Sequence, residues 1–244
     1  LQIAKVYNWL NNDQSSHCLL CLSGDSTDHR ASVQQGLCEP CRRDLPWLGT
    51  RCRQCALPLP FAGQLCGKCQ QHPPAYSQVI CPFLYRFPLD SLVPAFKYHN
   101  QLIYGRLLAH LLTDYVTYAY QEQQHALPDA LIPMPLYRQR QAQRGFNQAL
   151  ELARPVARAL ACPLLSSALK RVQATHTQQG LTAQQRKHNL RGAFACSAPD
   201  KVAGLHLALI DDVLTTGATA DEAAHTLLQA GAHSVSVWCV ARTP

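Results

Sequence analysis

Eight cysteines of this chain fall in four identical C-x-x-C pairs: Cys18/Cys21, Cys38/Cys41, Cys52/Cys55 and Cys66/Cys69. The stretches between successive pairs are 16, 10 and 10 residues long. One C-x-x-C turn aims two thiolates at a tetrahedral ion and two such turns close a four-sulfur site, so eight thiolates imply two zinc ions. Grouping the pairs in sequence, Cys18, Cys21, Cys38 and Cys41, then Cys52, Cys55, Cys66 and Cys69, closes the shortest loops. The interleaved groupings stay open at this level. Four sulfurs leave no position for water, so the expected role of the metal is structural rather than catalytic.

Residues 15–75 carry few large aliphatics in any helical or strand period, and RCRQCALPLPFAGQLCGKC is rich in Pro, Gly and Arg. Such a segment would not bury enough apolar area to order itself without metal. Disulfides are the rival use of these thiols. The opening LQIAKVYNWLNNDQ has no long apolar stretch, so no secretory leader is expected and a reducing, cytoplasmic location is. No run of about 18 apolar residues exists, so no membrane span is expected. Cys81, Cys162, Cys196 and Cys239 read as small core residues.

The polar, Pro-rich QQHPPAYSQ, residues 70–78, divides a metal module (1–75) from a larger domain (76–244). In the larger part VICPFLYRF reads as a strand, the stretch from Leu89 to about Tyr120 as helical, and ALIPMP as a short buried strand. A helix from about Asn147 to Leu160 should be bent or split by Pro155. The largely apolar Leu205–Ile210 has the composition of a central parallel strand. Ala220, Ala223, Ala224, Leu227 and Leu228 then mark one helix face, Gly231 is placed to cap it, and SVSVWCV is the next strand. Strand, helix, strand in that order is a βαβ unit, hence an α/β parallel sheet with helices on both faces.

Charge is unevenly placed. Of the net +7, residues 97–191 hold 12 basic and 4 acidic side chains, or +8, while residues 192–244 hold 2 basic and 5 acidic, or −3. A basic middle segment suits nucleic acid, a polyphosphate ligand or an acidic partner, although a solvated basic surface is the better explanation of a charge bias alone. Against this background Asp211 and Asp212 stand side by side at the end of an apolar strand, which is electrostatically costly unless something cationic or hydroxyl-rich meets them. Ligands of open parallel sheets bind beyond the carboxyl ends of the strands. The following loop, Thr215, Thr216, Gly217, Ala218 and Thr219, enters a helix whose N-terminal N–H groups would hold a phosphate. A sugar phosphate with a vicinal diol satisfies both loop and acids.

ALIDDVLTTGAT resembles the phosphoribosyl pyrophosphate loop of type I phosphoribosyltransferases. The resemblance implies that Asp211 and Asp212 hold the ribose hydroxyls, that Thr215 to Thr219 cradle the 5′-phosphate, and that Mg²⁺ accompanies the pyrophosphate. MPLYRQRQAQRGFNQA, with Pro135, Leu136, Arg140, Arg144, Gly145, Phe146, Asn147 and Gln148, resembles a block of the ComF competence family. Arg171, Thr175, Gln178, Leu181, Arg186 and Asn189 resemble a second block, with Gln173 standing where some members have Arg. With the four cysteine pairs, the resemblance spans residues 18–242. It implies a type I phosphoribosyltransferase-like sheet preceded by a double zinc ribbon, in a cytoplasmic protein of natural transformation or external-DNA use that handles single-stranded DNA.

The remaining candidates follow from charge. Arg140 and Arg144 are four apart and share a helix face if their segment is helical, ready to clamp pyrophosphate or a nucleic-acid backbone. Lys97, Arg171 and Arg186 complete a candidate groove, with Arg186 and Lys187 in a Gln/Thr-rich stretch suited to closing over a site. Tyr98, Tyr137 and Phe146 are candidates to stack on bases, with core packing the simpler role for Phe146. Three functions stay open: a binding protein for phosphoribosyl pyrophosphate and single-stranded DNA, an active phosphoribosyltransferase whose acceptor no residue names, or a zinc-ribbon adaptor docking to DNA-import or recombination proteins.

Overall fold

The structure is a computed structural model that describes residues 17–24, 33–173 and 192–244. By spatial contact the chain forms two units, Leu1–Pro46 and Trp47–Pro244. The second four-cysteine cluster therefore belongs to the larger unit, although composition alone places it with the first.

The two metal modules repeat one local design. In the smaller unit His17 and Gly24 form an antiparallel bridge around the first pair. There the Cys18 N–H donates to Ser23 O (2.8 Å), and the Leu22 N–H donates to Cys18 O (2.9 Å). Leu22 takes the left-handed φ of 61° that this tight turn requires. The second pair begins a short helix, α1 (Glu39–Arg43), capped by Cys38. The larger unit repeats each feature: an Arg51–Pro58 bridge, Cys52 N–H to Leu57 O (2.8 Å), Ala56 N–H to Cys52 O (2.9 Å), Ala56 at φ 54° and a helix α2 (Gly67–Gln71) capped by Cys66.

The sheet of the larger unit is parallel. β1 (Val79–Ile80) and β2 (Phe83–Leu84) both pair with β7 (Ser234–Arg242), which pairs with β6 (His206–Leu214), which pairs with β3 (Ala130–Pro133). β1 and β2 keep one register, Val79 opposite Val237 and Phe83 opposite Ala241. They are one edge strand interrupted at Pro82, which has no N–H to give the ladder. The expected helix beyond Leu89 is two helices, α3 (Leu89–Tyr98) and α4 (Leu102–Gln123). They part where Asn100 adopts a left-handed φ of 53°. After β3 come α5 (Arg138–Arg144) and α6 (Gln148–Ala159). Pro155 does not split α6. Its missing N–H costs one helical bond, while Leu152, Ala153, Val156 and Ala157 stay buried around it.

Helices cover both faces. On one, α7 (Ala218–Gln229) lays Ala220, Ala223, Ala224 and Leu227 into a core with Leu207, Leu209, Val235 and Val237. The alanines let helix and sheet backbones approach closely. The other face receives α4 and α6, where Tyr120 meets Trp238 edge-on at 5.6 Å. A two-stranded antiparallel ribbon, β4 (Leu169–Arg171) with β5 (Phe194–Cys196), packs beside α7. Among the described residues no helix is long and apolar enough to cross a membrane.

Candidate functional site

The acid pair does not end β6. Pairing with β3 stops at Ile210, opposite Pro133, whereas pairing with β7 continues to Leu214, opposite Arg242. Asp211 and Asp212 therefore sit where the strand has lost its β3 neighbour but remains fixed by β7. Asp211 Oδ1 accepts the Asp212 N–H (2.9 Å) and Asp212 Oδ1 accepts the Val213 N–H (2.7 Å). The cation that such a pair calls for is Lys97, near the end of α3, whose Nζ lies 2.5 Å from Asp212 Oδ2. The pair is largely shielded, with side chains 18% and 4% exposed for Lys97 and Asp212.

Burial pushes the Asp211 carboxyl up to about 6, against the downward pull of Lys97, Arg171 and Arg144. Burial likewise brings the Lys97 ammonium down to about 8; Asp211 opposes this while Arg144 and Arg140 add to it. Arg171 is held below the ordinary guanidinium range by burial and then by Arg140. Lys97, Arg140, Arg144 and Arg171 thus form one electrostatic cluster with Asp211. Arg186, Lys187 and the other quoted residues between 174 and 191 lie outside the described residues.

The RGFNQ segment positions one of these cations. Gly145 ends α5 at φ 83°, a left-handed C-terminal position that suits glycine. Asn147 caps α6 by accepting from Ala149 and Leu150 N–H and donates its own amide to Met134 O (3.1 Å). Phe146 packs against Phe96 with ring centroids 5.5 Å apart, which gives it a packing role. Arg144 donates to the buried Gln148 (2.5 Å) and lies over the exposed Tyr98 ring at 5.0 Å. Arg140 is on the same short helix and exposed.

Thr215, Thr216 and Gly217 lead into α7, with Gly217 at φ 78° in the cap position. Thr216 Oγ1 accepts the Ala218 N–H (3.4 Å). A Cβ at Gly217 would stand 2.8 Å from the Tyr76 hydroxyl, so glycine is required there by space as well as by φ. Below the loop lies Arg242, 5% exposed, a residue that no sequence pattern singles out.

In each four-cysteine group the ligand atoms lie within 4.8 Å of one another, and the grouping is sequential. Cys21 and Cys38 sulfurs are 3.7 Å apart and those of Cys55 and Cys66 3.6 Å. A tetrahedral zinc site with bonds of about 2.3 Å sets its sulfurs roughly 3.8 Å apart. No disulfide joins these cysteines. Within each group the thiols are pushed apart in acidity: burial and then the neighbouring thiols hold Cys41 and Cys69 well above the ordinary range, while Ser23 hydrogen bonds draw Cys21 down to about 6, so ionising the last thiol of a group is what calls for a cation. Both groups could hold zinc.

Residues 147–244 match the phosphoribosyl transferase domain family. The DNA utilization protein YhgH of Salmonella typhi is 38% identical over 208 residues, covering 85% of this chain and 91% of that protein. The YhgH of Escherichia coli K12 is 38% identical with the same coverage. Competence protein F of Haemophilus influenzae is 37% identical over 211 residues, or 86% of this chain and 92% of that one. Among solved structures, the purine phosphoribosyltransferase of Pyrococcus horikoshii aligns with 56% of this chain and 83% of its own at 14% identity, with a TM-score of 0.34.

Proposed function

Because the chain belongs to the family of DNA utilization protein YhgH and competence protein F, we propose that it is a cytoplasmic protein of DNA uptake and use that binds a phosphoribosyl pyrophosphate-like ligand with Mg²⁺, together with single-stranded DNA. The observation that carries the ligand reading is the pairing of a partly buried acid pair with a Thr/Gly loop at one strand end of a phosphoribosyltransferase domain. In this reading the N–H groups from Thr215 to Thr219 bind the 5′-phosphate. Asp211 accepts from a ribose hydroxyl, and Asp212 orients the sugar while Lys97 compensates its charge. Arg140, Arg144 and Arg171 face the pyrophosphate. Mg²⁺, when bound, would neutralise pyrophosphate oxygens.

The DNA reading rests on the same cations. A bare acid pair would repel a phosphate backbone. The Lys97–Asp212 pair and the raised Asp211 lessen that repulsion. Arg144 stacked on exposed Tyr98 offers a surface for a base beside one for a phosphate.

A second reading, an active phosphoribosyltransferase with an unidentified acceptor, is favoured by the presence of the acid pair. Displacement at the ribose anomeric carbon passes through an oxocarbenium-like state that positioning and charge can stabilise without a nucleophilic side chain.

Calorimetric titration of Mg²⁺-phosphoribosyl pyrophosphate into the zinc-loaded protein tests the ligand reading, with Asp211→Asn/Asp212→Asn as the control. Saturable heat in the natural chain and none in the control is expected. No heat from the folded natural chain sinks the sugar-phosphate reading and leaves DNA binding to stand alone.

A further inference from the structure

Four separate contacts tie the Thr/Gly loop and the first turn of α7 to the second metal module. Arg242, buried at the end of β7, donates through Nε to Cys55 O (3.0 Å) and through Nη1 to Leu214 O (3.3 Å) and Thr215 O. Lys68, between Cys66 and Cys69, donates to Thr216 O (3.0 Å). Tyr76, 3% exposed and just beyond the module, brings its hydroxyl against Gly217. The Ala75 N–H donates to Asp221 Oδ1 in the first turn of α7 (2.7 Å). Cys55, Cys66 and Cys69 are all members of the second four-cysteine group.

A trans peptide sets its C=O and N–H on opposite sides. The two cations hold the carbonyls of Thr215 and Thr216 on the module side, and Leu214 O, which Arg242 shares with the Thr243 N–H (3.1 Å), is fixed there by the sheet as well; the N–H groups of Thr215, Thr216 and Gly217 are therefore turned away from it. Successive N–H groups aimed one way make an anion-binding nest. A loop of this composition has other low-energy conformations, and the local bond from the Ala218 N–H to Thr216 Oγ1, at 3.4 Å, does not by itself select the nest.

We propose that Arg242 and Lys68 are positioning residues of the anion-binding loop, and that the loop holds its phosphate-binding shape only while the second four-cysteine module is closed around its metal. The proposal rests on the reading of this loop as a phosphate site, and it makes that site sensitive to loss of metal or oxidation of thiols remote from the ligand. Oxidation here means formation of a disulfide from two of the four thiols, with two electrons and two protons passing to an added oxidant such as a peroxide.

The test uses the full zinc-loaded chain and two variants, Arg242→Lys and Lys68→Met. Lysine keeps the charge of Arg242 but cannot reach Cys55 O and Thr215 O together. Lys68 is exposed, so its loss should spare the fold. Amide exchange of residues 214–221 is followed by mass spectrometry, alongside zinc content and affinity for Mg²⁺-phosphoribosyl pyrophosphate. Expected are loop amides exchanging roughly ten- to hundredfold faster, with β6 and β7 core amides unchanged and ligand affinity falling about as much, the scale of one charged hydrogen bond. Loop exchange at natural rates in both folded variants overturns the proposal. Equal acceleration across loop and core also overturns it, since the residues would then serve only general stability. If the natural chain binds no ligand, the phosphate reading fails by that result, while the exchange comparison still decides whether the module shapes the loop.

Discussion

Replacing Asp211 by Asn should stabilise the protein while removing its ligand. Burial raises the Asp211 carboxyl from the ordinary 3.8 to about 6 even with Lys97, Arg171 and Arg144 pulling the other way. An unfolded chain therefore ionises this group at lower pH than the folded one. Below about pH 4 both states are protonated and the burial costs nothing. As pH rises toward about 6 the unfolded state gains a charge that the folded state resists, and above about 6 the full cost is present. Two pH units at roughly 1.4 kcal/mol each give about 3 kcal/mol, and the partial exposure of Asp211 trims this toward about 2 kcal/mol. Asn keeps the Oδ1 acceptor for the Asp212 N–H, so the local backbone need not move. The assay is urea unfolding of natural and Asp211→Asn chains at several values between pH 4 and 8. The difference between the chains should grow from near zero at pH 4 to about 2–3 kcal/mol at pH 7.5, or roughly 5–10 °C in Tm. Release of metal at low pH affects both chains alike and cancels in that difference. A variant less stable than the natural chain at pH 7.5, or a difference that does not change with pH, would refute the account of a carboxylate held at energetic cost for binding.

Lys97→Met should lose about 3–5 kcal/mol by leaving Asp212 buried without its partner, and Lys97→Met/Asp212→Asn should recover most of that loss by the same unfolding assay. An equal loss in single and double variants would show that packing, not charge, is what Lys97 supplies. Elemental analysis should find two zinc ions per chain, one for each four-cysteine group. One ion or none in reduced, folded protein contradicts this. Arg140→Ala/Arg144→Ala should lower the slope of log affinity for single-stranded DNA against log salt by up to about 1.4, corresponding to two phosphate contacts. An unchanged slope removes both residues from the DNA surface.

Much of this protein is legible in local sequence. Four C-x-x-C pairs announce two four-sulfur sites because ligand spacing is a local property of the turn. The βαβ unit from His206 to Arg242 is legible because burial on both faces of a strand and on one face of a helix leaves apolar patterns of different period. The phosphoribosyltransferase fold and the competence-protein family follow from these with the RGFNQ and DDVLTTGAT segments. Short range also sets the limit of this reading. The edge strand reads as continuous until Pro82 removes a donor, and the helix beyond Leu89 reads as one until Asn100 turns left-handed.

What only the tertiary structure decided is which distant groups meet. Lys97 and Asp212 pair across more than a hundred residues, because α3 ends beside the point where β6 loses its β3 neighbour. Arg242 joins Cys55 to Thr215 only because β7 places it beneath the loop. The second cysteine cluster reads as part of an N-terminal module, yet its buried sulfurs share a core with Tyr76, Val79 and Leu214. None of these contacts leaves a periodic or spaced signal, because a side chain's partner is fixed by strand order and helix docking rather than by its neighbours along the chain. The sequence by itself therefore determined the local patterns, two four-cysteine groups and an acid pair followed by a Thr/Gly loop, and the packing of the sheet determined that this loop and the second four-cysteine module stand against each other.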